Sequence, residues 1–265
     1  MDTLSSGHVL AEAPRGLPDG SILFSDVVAG GVWRIPATGR RRPEVVIAKR
    51  RGVGGLLPHA SGGIVVSGRD LALVEPDGET RSLLQPVGVM GINDIGSDGA
   101  GGVLAGALRF RPMAGEEPVP GEVWHLPADG SEPQIVADDV LWPNGIGLSP
   151  DGATLYVADF QAACVLAYDR DGGGRRIFAP SPRGSCDGLA VDAEGGVWVA
   201  LGPGGGIGRL DADGALIEII ELDGAFVSSV SFAGDDDCDL LVTTADRVLR
   251  GHSPVPGLPV PAATL

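Results

Sequence analysis

Short apolar runs recur along the whole chain, each led in by a tight polar turn. Pro18-Asp19-Gly20 leads into SILFSDV, Ser61-Gly62-Gly63 into IVVSG, and Gly101-Gly102 into VLAG. Pro150-Asp151-Gly152 leads into ATLYVAD, Glu194-Gly195-Gly196 into VWVAL, and Asp235-Asp236-Asp237 into CDLLVTT. Anchored at residues 20, 62, 101, 152, 195 and 236, the copies stand 39 to 50 residues apart. A period of about 40–50 residues with several strands per unit is the signature of a β-propeller. The remainder of each unit agrees. A further strand ends in another turn (GGVWRIPATG, LALVEPDG, GEVWHLPADG, CVLAYDRDG, IGRLDADG), and a fourth apolar segment follows (EVVIA, SLLQ, PQIVA, RRIFA, LIEIIEL).

The pattern predicts an all-β fold, a six-bladed β-propeller with four antiparallel strands per blade, over residues 1–265 as one domain. Helical periodicity appears over no useful length. A two-sheet sandwich also has short strands and frequent turns, but it does not generate six quasi-copies at a near-constant period. Two ring closures are open: the Pro-rich tail after Arg250 completes the last blade, or the N-terminal strand pairs with it.

Composition sharpens this picture. Glycine contributes 43 of 265 residues and proline 21, which suits tight turns and disfavours helix interiors. The formal net charge is −16, so nucleic acid and anionic membrane surfaces are excluded as partners and a small-molecule substrate is expected. No apolar run approaches the roughly 20 residues of a membrane span. Met1–Arg15 has no basic stretch followed by an apolar one, so no secretory signal is expected. Cys164, Cys186 and Cys238 form no paired motif, which suits a reducing cytoplasm.

Eight residues before each anchor lie Glu12, Gly54, Asn93, Asn144, Asp187 and Ser228. Each falls at the start of the first strand of its unit, which is short and rich in small residues and is therefore expected to be innermost. Equivalent positions on six inner strands form a ring around one mouth of the central channel. Four of the six carry carboxylate or amide oxygens. Two carboxylates aimed into a narrow channel resist ionisation unless a cation offsets them. An oxygen-only set points to one divalent cation, Ca²⁺ first, with Mn²⁺ or Mg²⁺ as alternatives and Zn²⁺ less suited. Asn144-Gly145 and Asp187-Gly188 are each also common turn formers; it is their shared register that favours a binding role.

At these residues the chain resembles the senescence-marker-protein and gluconolactonase (regucalcin-like) family. Matching stretches are Glu12-Ala13-Pro14, Asn93-Asp94, LWPNGIGLSPDGATLYVAD, CDGLAVDAEGGVWVAL, VSSVSFAGDDDCDLLVTTA and the tail PVPGLPVPA, in family order over nearly the whole chain. The resemblance implies a six-bladed propeller with one catalytic divalent metal that hydrolyses lactones. It further implies that Glu12, Asn144 and Asp187 bind the metal, that Asn93 lies at the metal or contacts substrate, and that Asp187 is the general base.

Two departures bear on the substrate. Sugar-lactone members carry an Arg where this chain has Gly91, and an acidic residue where an ungapped count gives Arg111, with Glu116 and Glu117 further on. The substrate is therefore expected not to be gluconolactone. Trp142, two residues before Asn144, is a candidate pocket wall. Arg109 and Arg111 are candidates for an anionic substrate group, set against plain solvated loop charge. Cys186 is expected to point away from the channel by strand alternation, and Asp26 and Asp159 are expected to cap turns. Competing functions are a metal-dependent esterase or phosphotriesterase on the same site and a non-catalytic binding propeller. The Gly-His and Trp-Asp repeats common in scaffold propellers are missing.

Overall fold

The computed structural model describes residues 1–38 and 42–265. Its strands in chain order are β1 (Asp2–Ser6), then β2 (Ala11–Gly16), β3 (Ile22–Asp26), β4 (Val32–Ile35) and β5 (Glu44–Ile47). Next come β6 (Leu56–Pro58), β7 (Ile64–Val66), β8 (Leu71–Val74) and β9 (Thr80–Leu84), followed by β10 (Gly91–Ser97), β11 (Val103–Leu108), β12 (Gly121–Leu126) and β13 (Gln134–Val140). The chain continues through β14 (Pro143–Leu148), β15 (Thr154–Asp159), β16 (Cys164–Asp169) and β17 (Arg176–Pro180). It ends with β18 (Leu189–Val191), β19 (Val197–Ala200), β20 (Gly206–Leu210) and β21 (Leu216–Glu221), then β22 (Val227–Ala233), β23 (Asp239–Thr244) and β24 (Arg247–His252). One short 3-10 turn, Pro112–Ala114, is the only helical element among the described residues.

These strands make six sheets of four antiparallel strands, as the repeat predicts. Five sheets follow chain order from the inside outward, and β2, β6, β10, β14, β18 and β22 neighbour one another around the channel. The sixth is closed by the N-terminus: β1 pairs with β24, from Asp2 opposite Arg250 to Ser6 opposite Arg247. Of the two closures open in the sequence, the N-terminal strand is the one observed.

The core lies between blades rather than within one. Six clusters of buried side chains each join two neighbouring sheets; Trp198, Ile207, Val230 and Val242, for example, unite the last two. The outermost strands β5, β9 and β21 are largely exposed, so inner strands carry burial and outer ones carry charge. The anchor turns need left-handed backbone: Gly20, Gly62, Gly101, Gly152 and Gly195 have φ between 70° and 92°. The sixth turn uses Asp237 at φ 53°.

The Pro-rich tail crosses the end of the channel where these turns lie. It is fixed on one side by Leu258 N–H to the Val191 carbonyl (3.0 Å) and on the other by Ala263 N–H to Pro58 (2.8 Å) and Thr264 N–H to Gly101 (2.9 Å).

Candidate active site

At the opposite end, the inner strands do not run as plain ribbons. Pairing slips between Glu12 and Arg15 on β2, between Ile92 and Ile95 on β10, between Pro143 and Ile146 on β14, and between Val227 and Ser229 on β22. A bulge breaks strict alternation and re-aims side chains. Ala13 inside the first bulge has φ 51°. Glu12 and Arg15 thereby both come within reach of the Asp94 charge.

Glu12, Asp94, Asn144 and Asp187 are buried at this mouth. Burial drives the Glu12 carboxyl well above the usual carboxylate range, and the charges of Asp187 and Asp94 drive it further. Burial and then Asp94 do the same to Asp187, opposed by the Gly188 N–H and by the Asn144 side-chain amide. Asp94 is pushed up by burial to about 6, with Arg15 and the Ile95 N–H (2.7 Å) holding it from rising further. Burial lowers Arg15 and Asp94 raises it.

The inner strands can approach so closely because glycines stand where they touch. A Cβ on Gly145 would lie 2.0 Å from the Leu189 nitrogen, and one on Gly188 would lie 2.3 Å from Ser229 Oγ. The Asn-Gly and Asp-Gly pairs are therefore packing devices as well as carriers of the donors.

Other candidate positions have specific partners. Asn93 Nδ2 donates to the Pro143 carbonyl (3.0 Å), leaving Oδ1 available. Ser228 Oγ donates to the Ala11 carbonyl (2.6 Å), a stitch between first and last blades. Arg109 Nε donates to Glu122 (2.8 Å), which also accepts from Trp124 Nε1 (2.8 Å). Arg111 is exposed and pairs with Glu116 (3.0 Å). Both arginines thus spend their charge on carboxylates of their own blade. Asp26 accepts the N–H groups of Val9 and Ala29, and Asp159 those of Leu141 and Ala162, so both tie loops. Cys186 lies in the core between two blades, its thiol pushed up by burial to about 12.

Trp142 joins an aromatic arc at the same mouth. Its ring packs 6.0 Å from Phe110 and 4.7 Å from Phe160, and Phe160 packs 6.5 Å from Phe226. Trp142 Nε1 is buried and has no partner among the described residues.

Sequence reasoning missed two members of the site, Asp94 and Arg15. Asn93 and Asp94 are consecutive, and a period of two sends one of them away from the channel. The bulge removes that exclusion, and no residue pattern announced it.

The donor chemistry fits a divalent cation. Glu12, Asp94 and Asp187 against Arg15 leave two negative charges in a buried space when all are ionised. All candidate donors are hard oxygens. Among the described residues no three His, Cys, Asp or Glu side chains stand close enough to hold an ion by themselves.

Six blades around a channel with a buried carboxylate–amide cluster at one mouth define a six-bladed propeller with a candidate active site. Residues 10–246 match the family described as the SMP-30/Gluconolactonase/LRE-like region, and the chain belongs to it. A pentonolactonase of Haloferax volcanii is 32% identical over 251 residues, covering 89% of this chain and 81% of its own. A 6-deoxy-6-sulfogluconolactonase of Pseudomonas putida is 29% identical over 251 residues, covering 89% and 84%. The solved gluconolactonase of Xanthomonas campestris superposes with a TM-score of 0.81 at 26% identity, covering 96% of this chain and 89% of its own. No helix among the described residues is long and apolar enough to cross a membrane.

Proposed function

We propose that the protein is a divalent-metal-dependent lactonase that opens a small lactone with an apolar body. The observation that carries the reading is the buried Glu12, Asn144 and Asp187 set, whose two carboxyls are both driven above their usual range by burial, with Asp187 and Asp94 adding to Glu12 and Asp94 adding to Asp187. Relatives named as pentonolactonase, sulfogluconolactonase and gluconolactonase support lactone hydrolysis.

Glu12, Asn144 and Asp187 would hold the cation, and Ca²⁺ suits an all-oxygen set that includes a neutral amide. When bound, it supplies positive charge opposite the lactone carbonyl oxygen, where negative charge gathers during attack. Asp187 accepts the proton of the attacking water as the water oxygen bonds to the carbonyl carbon. The ring C–O bond then breaks, and Asp187 returns the proton to the leaving ring oxygen, giving a hydroxy acid. Arg15 faces Asp94 and keeps that carboxyl from adding its full repulsion to the site. Asn93 Oδ1 remains free to orient substrate or complete the ligand set.

The aromatic arc and the pairing of Arg109 with Glu122 and of Arg111 with Glu116 direct the specificity. Phe110, Trp142, Phe160 and Phe226 offer an apolar wall, with Trp142 Nε1 as one unpartnered donor. Gly91 offers no side chain to a sugar hydroxyl, and Arg111 is engaged by Glu116. The free cysteines suit a cytoplasmic setting.

The test is acid release from γ-hexalactone and gluconolactone with added Ca²⁺ or Mn²⁺ and with chelator. Metal-dependent opening of γ-hexalactone, lost in Asp187→Ala with the fold intact, is expected. The same arc would accept aryl esters and phosphotriesters, so these belong in the panel; their turnover without lactone turnover overturns the reading.

A further inference from the structure

The channel has a second, partly open space that the proposed reaction does not use. It is a cavity of about 400 Å³ at the anchor-turn end, roofed by the tail at Leu258–Val260. Glu12, Asn144 and Asp187 do not line it, but Arg15 does. Arg15 therefore stands as the partition, with Asp94 on one side and this cavity on the other.

Two polar groups on the cavity wall lack partners. Ser231 is 3% exposed, and its Oγ makes no hydrogen bond. Arg15 Nε is enclosed and also unpartnered, while its Nη1 reaches only the Pro14 carbonyl at 3.1 Å. Enclosed donors left without acceptors are costly, and native proteins satisfy them with protein, water or ligand. The remaining surface is mostly apolar, with Ile146, Leu189 and Phe232 among its lining. Arg170 lies at the turns, donating to the Asp98 carbonyl at 3.1 Å. Asp98 and Asp151 also line the turn side, Asp98 engaged by His125 Nε2 and Asp151 by Ser149 and the Ala153 N–H. The free groups are therefore the donors at the Arg15–Ser231 end, which ask for acceptors, while the apolar walls ask for a hydrocarbon body. A carboxylate offers two acceptor oxygens and the matching charge.

We propose that this cavity is a second ligand site, which takes a small carboxylate with an apolar chain, its head on Arg15 and Ser231 and its chain under the tail. Such an acid is either supplied from elsewhere or is the hydroxy acid formed at the other mouth; the chemistry of recognition is the same.

The test is calorimetric titration of the full chain, with Ca²⁺ and again with chelator, using sodium hexanoate, hexanamide and hexylamine. Hexanoate is expected to bind one-to-one under both conditions, and the amide and amine at least about tenfold more weakly. Ser231→Ala and Arg15→Met are expected to weaken hexanoate about tenfold or more. Because Arg15 also serves Asp94, Leu258→Trp provides an independent arm: it fills the cavity from the roof, abolishes hexanoate binding and leaves lactone turnover unchanged. Replacing hexanoate with the hydroxy acid from γ-hexalactone separates the two sources, the tighter ligand naming the source. Absence of hexanoate binding, equal binding of the amide, binding only with Ca²⁺, or binding that survives Leu258→Trp overturns the proposal.

Discussion

The backbone N–H of Gly145 donates to the carbonyl oxygen of Asp187 across 3.2 Å, so the two blades that carry Asn144 and Asp187 are fastened beside the donors themselves. A methyl group at Gly145 would sit 2.0 Å from the Leu189 nitrogen and 2.6 Å from the Gly188 carbonyl carbon. Neither is the end of a flexible side chain, so the blades must part. Gly145→Ala is expected to cost about 1–3 kcal/mol of stability, and to weaken Ca²⁺ binding because it separates two donors. Urea unfolding and a Ca²⁺ titration check both. A variant with unchanged Ca²⁺ affinity would show that this fastening does not set the site.

The raised carboxyls make the chain respond to pH in opposite ways with and without cation. Glu12, Asp187 and Asp94 hold protons in the metal-free fold at pH values where the unfolded chain has released them. Their stabilising contribution is complete below the ordinary carboxylate range and is lost as pH rises through the raised values. The chelated protein should therefore melt at lower temperature at about pH 8 than at about pH 5. Ca²⁺ affinity should rise over the same interval, since binding requires deprotonated ligands. Asp187→Asn should flatten the melting trend of the chelated protein. Melting curves that do not differ across the interval would remove the electrostatic basis of the site.

The fold was legible because its cause is local and repeated. Each turn–strand unit carries its own glycine and its own apolar run, so six copies announce six sheets. The gathering of Glu12, Asn144 and Asp187 at one mouth was legible through register, since Glu12 and Asn144 lie at the start of the innermost strands β2 and β14 and Asp187 lies two residues before β18. Asp94 and Arg15 were not, because a bulge decides their direction and a bulge depends on pairing with the next strand rather than on residue type. The partners of Arg109 and Arg111 were hidden for a similar reason. Glu122 lies on β12, beyond the loop that separates it from Arg109, and only the folded hairpin brings the two together. Ring closure was equally unreadable, because β1 and β24 are separated by nearly the whole chain.

That closure has a measurable weight. Without β1, strand β24 becomes an open edge and Leu4 leaves the cluster it shares with Phe24 and Val248. Deleting residues 1–6 removes several ladder bonds worth about 1 kcal/mol each. The truncated chain is expected to melt well below the full chain and to form concentration-dependent oligomers through the bare edge. Light scattering and thermal unfolding test this, and a truncated monomer of unchanged stability would refute it.

At the far end of the channel, Asp98 organises the third blade's anchor turn. Its Oδ1 accepts the N–H groups of Ala100 (2.7 Å) and Gly102 (2.8 Å), and its Oδ2 meets His125 Nε2 at 2.9 Å. Asp192 does the same work two blades on, bonding the N–H groups of Glu194 and Gly196 and Trp198 Nε1. Burial pushes the Asp98 carboxyl up, but the His125 hydrogen bond and the two backbone N–H groups outweigh it and hold the carboxyl below its usual value. The stability this supplies is complete above the ordinary aspartate pKa and is lost as pH falls through the lower folded value. Asp98→Ala leaves the buried Gly102 N–H, the N–H of exposed Ala100 and an imidazole without their acceptor, which should cost about 1–3 kcal/mol at neutral pH. The gap between wild type and Asp98→Ala should narrow as pH falls below about 4, where the wild-type carboxyl takes up its proton. Urea unfolding of both proteins across this range decides the matter, and a gap that stays constant into strong acid would mean that Asp98 acts through packing rather than through its charge.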